Sequence, residues 1–314
     1  MENAINLPAK KKKKKRNPHL KFVICMLAWP VFHLICWTLF VHIMTFSMSL
    51  YRYDEFNQPI WNGLDHYIGI FRDIGKGGNT LAALVNSLSF LPLNLCIILP
   101  LSVFFAYFLY KRIWCYKTFR VIYFFPSLIN IIIMIMSFKY MFDYNFGLIT
   151  GLLRAIGLGG IIPAQGFFAT RWSAYAMLWL YSIWGGLGHQ LVIIQGSMLR
   201  IPKSVIEFGQ LDGVGIWREM FQIVIPIIFA SLATMILFSI TGIFNTFIQP
   251  QLMFGKYSAD RYTIALSVIE NTKTGNDNTK ASTAAMGVII TLISTPIMMG
   301  VRSFLNKITP DIEY

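Results

Sequence analysis

The chain alternates between long stretches without a charged side chain and short segments where the charges collect. Phe22–Tyr51, Thr80–Tyr110, Val121–Phe138, Trp172–Leu199 and Ala281–Val301 hold no Asp, Glu, Lys or Arg, and a sixth stretch starts at Phe221 and meets no charge until Lys256. Each is about long enough for a helix to cross a hydrocarbon layer of roughly 30 Å. The stretches are solidly apolar rather than alternating, which argues against a membrane β-barrel. In lipid the backbone must satisfy its own polar groups, so such stretches are helices. The pattern predicts an all-α membrane protein with six transmembrane helices, over residues 22–50, 81–109, 120–141, 172–199, 226–249 and 282–304. Residues 22–305 read as one domain between a basic tail, 1–21, and a short tail, 306–314.

Composition agrees. The chain is 55% hydrophobic and 13% charged, whereas soluble domains carry about a quarter charged residues. The net charge of +13 raises the question of nucleic acid, but seven of the 27 basic residues lie in Lys10–Arg16, just before the first span. A basic run at that place orients the chain and contacts lipid headgroups. Membrane lipid is the expected partner, and nucleic acid is not. With both termini in the cytoplasm, 17 basic residues fall inside and 10 outside, the sense the positive-inside rule requires. The first stretch lacks a small-residue cleavage site and reads as a retained span. This describes a multi-pass protein of a bacterial cytoplasmic membrane. Cys25, Cys36, Cys96 and Cys115 have no metal-ligand spacing and read as small apolar side chains.

Local features refine the spans. Pro92 and Pro100 should kink the second. WGGLGHQ (Trp184–Gln190) in the fourth and the Ala281–Gly287 start of the sixth permit close helix packing. Thr241, Gly242, Asn245, Thr246 and Gln249 interrupt the fifth. The aromatic-rich segment after the first span suits an interfacial helix. His33 and His42 are nine residues apart and read as helix-to-helix hydrogen-bonding groups.

The chemistry of catalysis is missing. There is no H-E-x-x-H, no G-x-S-x-G and no paired carboxylates in a span. Gly69–Lys76 has the wrong spacing for a nucleotide loop. No catalytic residue, no metal ligand and no cofactor of the chain's own is expected. No acidic residue lies in a hydrocarbon stretch, which argues against a proton- or sodium-coupled carrier, so uphill transport needs an external energy source. The segment VIEFGQLDGVGIWREMFQIVIP (Val205–Pro226), between the fourth and fifth spans, is a candidate point of delivery. Ser204 and Glu207 have the spacing of a capping box. Val205, Phe208 and Leu211 share a helical face. Asp212-Gly213 is a turn in which Gly213 takes positive φ, and a second short helix carries Trp217, Phe221 and Val224. Pro226 suits a helix start. Two readings fit: a well-capped connector, or a docking element for a cytoplasmic partner.

The same segment resembles the E-A-A-x-x-D-G-A loop of ABC importer permeases, with Glu207, Asp212, Gly213 and the closing Pro226 at the family's spacing. Phe208, Gly209 and Val214 replace the family's alanines. NGLDHYIGIF (Asn62–Phe71), ALVNSLSF (Ala83–Phe90), FFPSLINIII (Phe124–Ile133) and GIFNTF (Gly242–Phe247) resemble other parts of carbohydrate-type permeases. The family's G-G-P motif is absent, and LMFGKYSADRYT (Leu252–Thr263) stands there. The resemblance implies the type I importer permease fold, with a cytoplasmic coupling helix within residues 200–225. It implies no ATPase site in the chain, with ATP and magnesium bound by two copies of a cytoplasmic ABC ATPase. It also implies a second, homologous permease subunit and an extracytoplasmic solute-binding protein that delivers a sugar or oligosaccharide. Glu207, Phe208, Gly209, Asp212, Gly213, Trp217 and Phe221 are the implied ATPase-coupling residues.

For a substrate path, the polar and aromatic residues of the central spans are candidates: Asn86, Asn94, Asn130, Tyr181, Trp184, Gln190, Asn245 and Gln249. Sugars suit amides for their hydroxyls and aromatics for their ring faces. A hydrogen bond between helices is the competing role for each. The alternatives for the whole chain are the same architecture for another solute, such as glycerol phosphate or a polyamine, or a carrier that needs no ATPase.

Overall fold

The computed structural model describes residues 20–54, 56, 58–254 and 259–308. The lysine run Lys10–Arg16, most of the N-terminal tail and the chain end beyond residue 308 lie outside the described residues. Four helices are long and apolar enough to cross a membrane: Phe22–Ser49, Asn79–Tyr110, Arg171–Met198 and Asp277–Ile308. Two more crossings are each made by a bent pair, Tyr116–Leu128 with Ile131–Met141 and Ile216–Ile227 with Phe229–Ile243. They are called spans 1 to 6 below, in chain order. The six apolar stretches are therefore found, but the third and fifth differ from the expected single helices over 120–141 and 226–249.

Span 3 turns by 105° at its break. Pro126 sits in the last turn of the first half, Ile129 is extended, and the second half restarts with Asn130 as N-cap, its side chain accepting from Ile132 N at 2.9 Å. Span 5 bends by 74° at Ile228, which is buried. Its first half begins at Ile216, so the expected second short helix of the Val205–Pro226 segment is the foot of span 5. The upper half ends at Ile243, because Asn245 and Thr246 turn their side chains back onto the carbonyls of Thr241 and Gly242 and a new helix, Ile248–Phe254, follows.

Span 2 behaves otherwise. It stays continuous through Pro92 and Pro100, and a wide π turn, Leu93–Ile98, absorbs the disturbance. Asn94 Nδ2 donates to Phe90 O at 2.9 Å beside it. Spans 2 and 4 form the centre of the molecule, and Ala106, Tyr107, Leu178, Leu191 and Ile194 are fully buried between their neighbours. Gly188 in span 4 is the residue that allows the closest approach. A Cβ there would lie 2.5 Å from Tyr123 O and 3.3 Å from Phe124 Cα. Of the three glycines in Trp184–Gln190 it is the one the packing requires. Ala281 and Ala285 of span 6 are both fully buried, and Ala285 packs in a cluster with Ile70, Ala83 and Ile264.

Span 1 stands apart: none of its most apolar window is buried, and only its end, Phe40–Ser49, packs on span 6. His33 and His42 are exposed on it and make no hydrogen bond among the described residues, so the expected helix-to-helix role finds no partner there. The four cysteines are free and exposed. After span 1 come two antiparallel strands, Tyr51–Tyr53 and Pro59–Trp61, a small exception to the all-α expectation. The amphipathic helix Asp65–Gly75 follows, and Gly69–Lys76 falls within it and at its end.

The foot of span 5 is fastened to span 2. Glu219 has only 3% of its side chain exposed and pairs with Lys111 Nζ at 2.7 Å. Tyr107 Oη donates to Glu219 Oε1 at 3.2 Å and to Ile216 O at 3.1 Å. The Trp217 ring packs on Phe104 and Phe108, with centroids 6.0 and 6.4 Å apart.

Candidate functional site

Two places have the chemistry of a transport protein, a cavity among the spans and the segment that joins spans 4 and 5. The cavity has a volume of about 500 Å³, within the range of small-molecule sites. It forms where span 3 breaks. The broken backbone leaves Ile129 outside both helices, and non-helical backbone inside a membrane protein is tolerated where it faces protein or a cavity. Span 2 contributes Asn94 from its π turn, span 4 contributes Tyr181, Gly185, Gly186 and Gln190, span 5 contributes Ser239, and the turn after it contributes Thr246. Gln249 reaches it from the helix Ile248–Phe254. Amides and hydroxyls thus alternate with Phe90, Tyr181 and Phe238, and among the described residues no Asp, Glu, Lys or Arg lines it. Gln190 lines this wall, and its Oε1 is enclosed and finds no partner among the described residues.

Four of the eight candidate path residues, Asn94, Tyr181, Gln190 and Gln249, meet on this wall. The other four lie elsewhere. Asn86 is 4% exposed and fully engaged: its Nδ2 donates to Asp260 O and Tyr262 O, and its Oδ1 accepts from Arg171 Nη2. It fastens the loop around Arg261 to the start of span 4. Asn130 caps the second half of span 3, and Asn245 binds Thr241 O. Trp184 lies beside Phe138 on the outside of span 4. His189, Ser182 and Ser127 line the cavity and were missed. The turn in Pro126–Asn130, a proline followed by a capping residue, was the available signal for where a wall would form.

The joining segment folds as a helix, Lys203–Leu211, a turn, and the foot of span 5. The expected capping box is not made. The helix begins directly after Pro202, which holds the N-cap position without a side-chain cap, so Ser204 already lies inside the first turn. The other end is as expected. Gly213 has φ +71°, and Gly213 N and Val214 N donate to Gln210 O and Gly209 O at 3.1 and 3.0 Å, the paired bonds of a left-handed helix end. Ile206 and Gly209 face inward, and a Cβ on Gly209 would meet Ile223 Cδ1 at 2.9 Å. Of the expected shared face, Val205 is half-buried, and Phe208 and Leu211 point out. Phe208 is 67% and Leu211 82% exposed, and Trp217 and Phe221 are also exposed, whereas the neighbouring Met220 is buried. Glu207 and Asp212 sit on the outside with them. An apolar group of this kind, rimmed by charge, marks an interaction surface.

Residues 98–310 match a protein family described as the inner membrane component of binding-protein-dependent transport systems. The chain belongs to this family. It is 26% identical over 227 residues to the probable ABC transporter permease protein YurN of Bacillus subtilis, covering 69% of this chain and 74% of that protein. It is 30% identical over 135 residues to the maltose/maltodextrin permease protein MalF of Shigella flexneri, covering 43% of this chain and 26% of MalF. With MalF of Klebsiella aerogenes the figures are 26% over 192 residues, 61% and 37%. The matched part therefore spans 26–37% of the length of these MalF proteins. A solved bacterial ABC transporter for import of the acidic polysaccharide alginate has a chain of the same fold, with a TM-score of 0.77 at 18% identity over 93% of this chain and 97% of that one. The transport-family membership and the permease fold expected from Glu207–Pro226 hold, and the chain is a multi-pass membrane component.

Proposed function

We propose that the chain is the membrane-spanning permease subunit of an ATP-driven importer, and that its solute is a neutral sugar or oligosaccharide. The exposed Phe208, Leu211, Trp217 and Phe221 on a segment bent at Gly213 carry this reading. They are apolar side chains left exposed along a segment between two spans, and Glu207 and Asp212, exposed in the same segment, suit a polar groove. The segment docks on one of two copies of a cytoplasmic ATPase, which bind ATP and magnesium. Both termini lie on that side, in keeping with the basic residues around it. A second, homologous permease faces the cavity, and an extracytoplasmic solute-binding protein delivers the solute.

The wall of amides, hydroxyls and aromatics, free of cations, favours a neutral polyol over an anion. MalF is named for maltose and maltodextrin, in the same direction, whereas the fold neighbour belongs to an importer of acidic alginate. Affinity purification of the chain from native membranes, followed by uptake of labelled oligosaccharides in vesicles, tests the proposal. Co-purification of an ATPase and a second permease with ATP-dependent uptake supports it. A chain that purifies alone and still transports identifies an ATPase-independent carrier. Uptake of glycerol phosphate or a polyamine with no uptake of glycans changes the solute.

A further inference from the structure

Span 5 is an imperfect lever. A push on the helix Lys203–Leu211 enters the foot of the span at Ile216, but the span turns by 74° at Ile228 before it reaches the cavity. The foot has a second, direct attachment. Glu219, 3% exposed, is held by Lys111 at 2.7 Å and by the Tyr107 hydroxyl at 3.2 Å, and the same hydroxyl binds Ile216 O. Both Lys111 and Tyr107 belong to the end of span 2 or the residue after it, 108 and 112 positions away in the chain. Trp217 packs on Phe104 and Phe108 of the same span. A carboxylate this enclosed is stable only while its partners stay, so foot and span 2 move as one body. Span 2 then runs without a break to Phe90, Asn94 and Ile98 on the cavity wall.

We propose that Glu219 is the positioning residue of transport, transmitting motion of the ATPase-docking segment into span 2 and hence to the cavity, around the bend in span 5. This rests on the permease reading above. The test is the ratio of solute imported to ATP hydrolysed by the full complex in proteoliposomes, with Glu219→Gln and, separately, Tyr107→Phe. Loss of folding lowers import and hydrolysis together and leaves the ratio alone, whereas a broken transmission lowers the ratio. The expected result is continued hydrolysis with a ratio lower by at least about fivefold, the low end of typical coupling between sites. The double variant should be no worse than Glu219→Gln alone, since both remove one network. If Glu219→Gln does not accumulate, Tyr107→Phe, which removes a single hydroxyl, gives the same reading. An unchanged ratio in the variants overturns the proposal. A wild-type chain that purifies without any ATPase overturns the permease reading and this proposal with it, and is told apart by being seen before any variant is made.

Discussion

Spans 3 and 5 are both broken, by 105° and 74°, and for different reasons. Span 3 carries its break in its own sequence: Pro126 ends one half and the Asn130 side chain starts the other. The break faces the cavity. Span 5 has neither proline nor glycine at Ile228, although Pro226 lies in the turn before it. A π turn over Glu219–Val224 leads into that proline, and both are local causes of a bend; the foot of the span is in addition held from outside, by Lys111 and Tyr107 on Glu219. One break is local and makes a wall. The other follows a π turn and Pro226, in a span whose foot is tied to span 2.

Substitutions that separate local from tertiary control should divide accordingly. The largest effect is expected from Lys111→Met, which leaves Glu219 buried without its cation. A loss of about 3–5 kcal/mol is expected, read as a lowered thermal unfolding midpoint of the purified complex, and a midpoint near wild type would show that span 5 holds its own shape. Next is Gly188→Val, which drives side-chain atoms into the Tyr123 carbonyl. About 1–3 kcal/mol should be lost in the same assay, while Gly186→Ala, whose Cβ would meet Ile98 Cδ1 at an ordinary 3.5 Å, should stay within about 0.5 kcal/mol. Asn130→Ala removes the cap of the second half of span 3 and should cost about 1 kcal/mol; protease or thiol-labelling access to introduced cysteines near Ile129 would report the loosened break. The smallest effect belongs to the cavity. Gln190→Leu should leave assembly intact and raise the KM for solute about fivefold, the loss of one hydrogen bond of about 1 kcal/mol; an unchanged KM would move the path away from this wall.

How much could be read in advance follows the same division. Uncharged runs located all six crossings, because lipid imposes a length and an absence of charge that any chain must display. Gly213 was legible, since a turn after Asp212 demands positive φ. Direction was not legible: hydropathy counts apolar residues and does not register that Ile129 leaves the helix, although Pro126 and Asn130 announced it. The capping box failed because Pro202 takes the N-cap position two residues before Ser204. Candidate path residues separated by context. Asn86 and Gln190 look alike in sequence, yet one spends its hydrogen bonds on Asp260, Tyr262 and Arg171, and the other lines the cavity with an enclosed oxygen that has no partner among the described residues. Glu219 read as one more charge of the segment, and its partners are more than a hundred residues away.

The central claim is that ATP-driven motion enters the membrane through the bent segment at Gly213. Solute-stimulated ATP hydrolysis by the reconstituted complex, compared between wild type and the variants Gly213→Pro and Glu207→Lys, tests it most directly. Stimulation should disappear in both variants while the chain remains in the membrane at wild-type amount. Stimulation that persists unchanged would contradict the claim and leave residues 203–220 as a connector.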